Sequence, residues 1–300
     1  MRWIVGTLVS VMLVAFSLIA PHTGGMMAQA DAATSMPPLP AEIKARGYLS
    51  VGVKCDWPPF GFIDADGKTV GFDVDVARQL AQYAFGSPDA ARFTCVTANN
   101  RVGYIDTKRI DLIVAVMSWT PERAKLVHFS TPYFEAGGLM LVPTNSNLSD
   151  FKELKGKSVI TTKGAIYATW FQQCQPDTQI MEFADTSEAL AALQAGRAPA
   201  FVSDDTLLVG LAEKNPALKM VGSNPIALGP WGLGTRLNDP KFSAWVDAGL
   251  AQMQDSDSFW KIFQKWVKDP KARDIMAHSL PRPGHSLHYP TSTIFHCDVK

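Results

Sequence analysis

Arg123 stands five residues after Ser118 and three after Thr120, just beyond an apolar run at residues 112–116. A run of that length between Asp111 and Ser118 predicts a buried parallel strand. Thr120 is a good N-cap, and Pro121 suits the first helical position because its missing N–H would have no helical partner there. A helix is therefore predicted to start directly off the strand, with Arg123 in its first turn. A cation at that end opposes the helix dipole by roughly 0.3–1 kcal/mol. Beside free N–H groups and the Ser118 hydroxyl it would suit an anion, a carboxylate above all. The plain alternative is a solvated surface arginine, and spacing does not separate the two.

The elements that must position such a site follow from the rest of the chain. A length of 300 residues allows two lobes with a sizeable core, and 28 Lys and Arg balance 28 Asp and Glu, so nothing points to nucleic acid. Arg2 and the apolar run from Ile4 lead to Ala28-Gln29-Ala30, which reads as a signal peptide over residues 1–30 cleaved near Ala30. An uncleaved anchor is the alternative, since the run nearly reaches spanning length. No cysteine stands at the cleavage point to carry a lipid, and no later segment is long and apolar enough to cross a membrane. Residues 31–40 read as a linker. A first strand is expected at 49–53, and Lys54 to Phe60 form the loop at its carboxyl end, the edge where open α/β sheets bind ligands. Asp73 is expected to cap a helix with Val76, Leu80 and Ala84 on one face, and Asp75 to serve its dipole. A strand at 92–96 leads to Asn99-Asn100-Arg101, then a helix at 105–109; further on, a strand at 159–161 leads to Lys163-Gly164-Ala165-Ile166. A helix at 186–194 and a strand at 200–202 end at Ser203-Asp204-Asp205.

Four cysteines in an exported chain suggest disulfides. Cys55 and Cys95 end strands that should be neighbours, and Cys174 with Cys297 is the candidate for a second pair. The tail at 269–300 carries His278, His285, His288 and His296 among Pro and Ser; it reads as loosely packed rather than metal-binding. No Ser/His pair, HExxH or Walker loop appears.

Three separated motifs carry a resemblance. They are Met117-Ser118-Trp119-Thr120-Pro121-Glu122-Arg123 with Phe129-Ser130-Thr131-Pro132-Tyr133; Gly71-Phe72-Asp73-Val74-Asp75-Val76-Ala77; and Val51-Gly52-Val53 with Pro58-Pro59-Phe60. Their order and spacing over about residues 49–267 resemble the bacterial extracellular solute-binding proteins, family 3, which feed amino acids to ABC importers. The resemblance implies the α/β, two-lobed type II periplasmic binding protein fold, each lobe an open α/β sheet, with hinge segments near 133–137 and 230–234. Lobe one would take residues 41–135 and 231–268, and lobe two residues 136–230. It implies a monomer in the periplasm, an amino-acid ligand, a membrane permease as partner, and neither cofactor nor metal.

The same resemblance assigns site residues. Arg123 with Ser118 would hold the ligand carboxylate and Asp204 its ammonium, Asp205 being one residue off. Trp57 and Phe60 would wall the ligand, with simple packing as the alternative. Lys54 and Arg101 match the glutamate- and aspartate-binding branch, where such residues hold the side-chain carboxylate; otherwise they are solvated rim charges. Val116 replaces a usual Gly, Ser or Thr and can offer only its backbone, and Trp119 adds bulk beside Ser118. Gly164 and Ala165 stand where a hydroxyl is usual, so backbone N–H groups are expected to act there. The branch predicts glutamate or aspartate. The alternatives are a cyclohexadienyl dehydratase on the same fold, for which Glu135 is the nearest carboxylate by sequence, and a soluble sensor partner.

Overall fold

The computed structural model describes residues 36–298, together with residue 1. The expected signal peptide with its cleavage point, and the first part of the linker, lie outside the described residues. The chain divides into two units, Met1–Ser35 and Met36–Lys300, and the second carries every named element. At its start Met36 and Leu39, expected as linker, pack against the core.

Lobe one opens with β1 (Leu49–Val53), continues through the short β2 (Asp56–Trp57), β3 (Gly61–Ile63) and β4 (Thr69–Val70), and adds β5 (Ala91–Cys95) and β6 (Leu112–Val114). The long β7 (His128–Pro143) leaves it. Lobe two holds β8 (Ser158–Thr162), β9 (Gln179–Phe183) and β10 (Phe201–Asp204), and the long β11 (Leu218–Thr235) returns. β2, β3 and β4 make a small antiparallel sheet; the other eight strands form one sheet in the order β5-β1-β6-β11-β7-β10-β8-β9. β1 runs parallel between β5 and β6, and β8 parallel between β9 and β10. The inner strands β1, β6 and β8 are rich in buried Val, Ile and Leu, as strands covered on both faces must be, while the edge strands β5 and β9 are largely half-buried or exposed.

The expected short hinges are parts of two long strands. β7 and β11 pair antiparallel from Pro143–Leu218 at one end to His128–Thr235 at the other, so a continuous ladder joins the lobes. It is not a regular ladder. Register shifts fall between Val221 and Ile226, Ile226 and Gly229, Trp231 and Gly232, and Gly232 and Gly234. Each unpaired residue bends its strand and raises the local twist, which concentrates bending at those points.

Three local expectations are corrected. β6 stops at Val114 rather than Val116, because Val116 takes a positive φ of 43° and donates its N–H to Oδ2 of Asp73 at 3.0 Å. The helix expected after Thr120 is a single turn with a 3-10 segment at Arg123–Lys125. Thr120 does cap it, accepting the Arg123 N–H on Oγ1 at 3.1 Å, but the chain must enter β7 at His128 and has no length for more. The helix expected at 105–109 spans Arg101–Asp106. A reciprocal turn starts it there: Asn100 Oδ1 accepts from Thr97 N at 2.9 Å and Thr97 Oγ1 from Asn100 N at 3.3 Å.

Both disulfides form, Cys55–Cys95 and Cys174–Cys297. The tail is not loosely packed: Leu280 and Ile294 are buried, and Arg282 forks onto both carboxylate oxygens of Asp257.

A charged cleft between the lobes

The carboxyl ends of β1, β5, β6, β8 and β10 all face one cleft between the lobes, the edge at which open α/β sheets place ligands. Eight of the ten residues singled out from the sequence line it: Lys54, Trp57, Arg101, Val116, Ser118, Arg123, Ala165 and Asp204. A wider, more apolar groove lies between the Pro58-Pro59 loop and the helix Asp205–Lys214, away from this cluster of charges.

Phe60 does not line the cleft. It is buried in an aromatic cluster, with ring centroids 4.9 Å from Phe134, 5.2 Å from Trp231 and 5.4 Å from Phe72. Edge-to-face packing of this kind adds roughly 0.5–1.5 kcal/mol per pair beyond area burial, which holds the ring in the core. Gly164 borders the site through its backbone only: its carbonyl accepts from Arg123 Nη2 at 2.9 Å, across the cleft.

Each cation is held by its own neighbours. Arg123 donates Nη1 to the Ser118 carbonyl at 2.7 Å. Arg101 is 3% exposed and donates to the carbonyls of Ala115 and Val116. Burial pushes Arg123 down to about 10, and burial followed by the charge of Arg123 pushes Arg101 down to about 9. Both stay protonated near neutral pH. Lys54 is 4% exposed, with Nζ 2.8 Å from Oδ1 of Asp56 and 5.2 Å above the Trp57 ring.

One carboxylate stands on the opposite wall. Asp204 ends β10 and accepts a short hydrogen bond from the Tyr167 hydroxyl. Burial raises Asp204 to about 6, against the pull of Tyr167, Arg101, Arg123 and Lys54. Asp205 turns away: it opens the helix Asp205–Lys214 and accepts the Thr206 N–H at 2.7 Å. Tyr167 reaches Asp204 because Gly138 leaves room; a Cβ at Gly138 would run into the Tyr167 ring.

Two expected backbone donors are taken. The Val116 N–H belongs to Asp73, and the Ala165 N–H closes a turn on the Thr162 carbonyl at 3.0 Å. Thr162 itself lines the cleft, so the wall has a hydroxyl after all, two residues before Gly164. Asp73 is not the cap of its helix. It is fully buried, accepts from Val116 N and from the Tyr133 hydroxyl at 3.0 Å each, and is raised by burial to about 7. It fixes the strained loop that carries Val116 and Ser118. Sequence reading missed Tyr167, Thr162 and Asp56 as parts of this arrangement. Glu135 lies outside the cleft; burial raises it, partly offset by His285 of the tail nearby.

The lobes touch. Besides Arg123 on Gly164, Asp56 accepts the Thr186 N–H across the gap at 3.1 Å. Three cations and one carboxylate thus line a small cleft between the lobes.

Comparison with known proteins agrees with this architecture. The ABC transporter glutamine-binding protein GlnH of Bacillus subtilis is 32% identical over 77% of this chain and 85% of its own length. The L-glutamate/L-aspartate-binding protein of Pseudomonas aeruginosa is 28% identical over 84% of each chain. A solute receptor for L-cysteine from Neisseria gonorrhoeae superposes with a TM-score of 0.74 at 31% identity, over 77% of this chain and 97% of that one. The fold is that of the type II periplasmic binding proteins. The family model for bacterial extracellular solute-binding proteins, family 3, matches residues 49–269, and the chain belongs to that family.

Proposed function

We propose that the cleft captures an acidic amino acid, glutamate or aspartate, and that the protein presents it to the membrane permease of an ABC importer. The observation that carries this reading is the excess of Lys54, Arg101 and Arg123 over Asp204 on the cleft walls. Arg123 with Ser118 takes the α-carboxylate. Asp204, backed by Tyr167, takes the ammonium. Lys54 and Arg101 take the side-chain carboxylate, with Trp57 beside them. The ion pair of Lys54 with Asp56 trims the excess to one unit, which a ligand of net charge minus one balances. A neutral side chain would leave a buried cation unpaired, and that penalty is the source of discrimination. Relatives named for glutamate and aspartate support this ligand; relatives named for glutamine and cysteine keep neutral ligands in the comparison. A dehydratase would have to draw its general acid from Asp204, whose raised pKa suits that task but whose cationic neighbours suit ligand pairing better.

Calorimetry with Glu, Asp, Gln, Asn, Cys and Arg tests it, on wild type and on Lys54→Met and Arg101→Met. Wild type is expected to prefer Glu or Asp, and each variant to lose about tenfold or more of that preference over the matching amide. Preference of the wild type for Gln, Cys or Arg would refute the acidic ligand. Retained preference in both variants would leave the ligand but remove these two residues from its recognition.

A further inference from the structure

Asp56 is not a residue that the cleft walls alone would single out, yet it joins two parts of the site that belong to different lobes. Its Oδ1 is 2.8 Å from Nζ of Lys54, and its Oδ2 accepts the backbone N–H of Thr186 at 3.1 Å. Lys54 follows β1 in lobe one, and Thr186 opens the nine-residue helix Thr186–Gln194 in lobe two. First-turn N–H groups have no acceptor within their own helix. Asp185 serves one of them, accepting from Glu188 N at 3.0 Å. The Thr186 N–H is served from the other lobe, and only while the lobes are closed. On the Lys54 side, the same carboxylate offsets a buried ammonium that also lies within electrostatic reach of Asp204.

We infer that Asp56 both latches the closed lobes, through Thr186, and tunes ligand specificity, by fixing how much positive charge Lys54 presents to the ligand side chain. The inference rests on the reading of this cleft as an amino-acid site. Asp56 is a positioning residue: it acts through Lys54 and Thr186.

Its two contacts can be removed separately. Asp56→Asn keeps an acceptor for Thr186 and takes the countercharge from Lys54. Thr186→Pro deletes the N–H at the first helical position, where proline is tolerated, and leaves the ion pair intact. Asp185 has φ −145° and ψ 176°, a conformation allowed before proline. Asp56→Ala loses both contacts. The three variants and wild type are titrated by calorimetry against the twenty amino acids, and the dissociation rate of the amino acid that wild type binds most tightly is followed by stopped flow. Asp56→Asn is expected to raise the preference for glutamate over glutamine, and for aspartate over asparagine, by about tenfold. Thr186→Pro is expected to leave those ratios unchanged and to speed dissociation about tenfold. Asp56→Ala is expected to do both. Unchanged ratios in Asp56→Asn and Asp56→Ala overturn the specificity role; unchanged rates in Thr186→Pro and Asp56→Ala overturn the latch. A wild type that ranks a neutral or basic amino acid first refutes the acidic-ligand reading, while a shift toward acids in Asp56→Asn would still establish what Asp56 does.

Discussion

Asp204 carries its charge in a place that penalises charge, and this gives stability and binding opposite responses to pH. Burial raises Asp204 to about 6, and it raises Asp73 and Asp205 to about 7. An unfolded chain protonates these groups near 4. Between pH 4 and 7 the folded, ligand-free protein therefore holds more protons than the unfolded one, so its stability falls as pH rises through that window. Asp56, lowered by Lys54 against burial, works the other way but only where pH drops toward its unfolded value. The expected result is a higher Tm for the free protein at pH 5.5 than at pH 8. With Asp204 as the proposed ammonium partner, ligand binding is expected to reverse the sign, because a bound ammonium would favour ionised Asp204. Affinity should be flat above pH 7 and fall by up to about tenfold per unit below pH 6. Calorimetry from pH 5 to 8 checks it, and equal affinity at pH 5 and 7.5 would remove Asp204 as the ammonium partner.

At the scale of elements, the loop after β8 shows how closely closure is fitted. Gly164 has a φ of 80°, and a Cβ there would stand 2.9 Å from the backbone N and Cα of Asn99 in the other lobe. Backbone atoms cannot swing aside as a side chain can. Gly164→Ala is therefore expected to hold the lobes ajar. It should add a modest folding penalty of about 1 kcal/mol for the left-handed backbone, yet weaken ligand binding by tenfold or more, since Arg123 and Gly164 no longer meet. Small-angle scattering at saturating ligand should then give a larger radius of gyration than wild type; an identical radius and affinity would contradict the argument. Elements of this kind are only partly legible in a sequence. The parallel strands were, because apolar runs such as residues 112–116 sit between polar boundaries, here Asp111 and Ser118. The charges at the strand ends were, because the carboxyl edge of a sheet is a place, not a contact. The turn at Thr120 was not: its cap is real, but nothing local says that β7 must begin eight residues later. Phe60 lies in a loop with no periodicity to aim its ring. Asp56 with Thr186, and Tyr167 with Asp204, meet across large separations in sequence, where only the folded chain brings partners together.

At the scale of the whole molecule, the tail adds a third connection between lobes that the two hinge strands already join. It leaves lobe one pinned by Arg282 on Asp257 and by Gln254, whose Nε2 donates to the Arg282 carbonyl at 3.2 Å. It then crosses the hinge strands. The Tyr289 hydroxyl donates to the Ser130 carbonyl at 2.6 Å, its ring stacks on Trp119 at 5.6 Å, and Ile294 packs against Gly229 beside a register shift in β11. It ends on lobe two, where Trp170 Nε1 donates to the His296 carbonyl at 3.0 Å and Cys297 is bonded to Cys174. Composition hid this, because Leu280, Tyr289 and Ile294 follow no period. A lobe that opens must pull on this strap, since its far end is covalently fixed. The bond also closes a span of 123 residues, for which chain entropy gives a stabilisation on the order of 4–5 kcal/mol. The Cys174→Ser/Cys297→Ser double variant should lose part of that stability, with a Tm several degrees lower. More specifically, its free form should open wider. The decrease in radius of gyration on adding saturating ligand should be larger than in wild type, and ligand dissociation faster, while the ranking of amino acids stays the same because no cleft residue has changed. Cys55→Ser/Cys95→Ser is the control: that bond lies within lobe one, so its loss should lower Tm without enlarging the closure motion. If the two double variants change Tm alike and neither alters the scattering difference, the tail stabilises the fold but does not restrain the hinge.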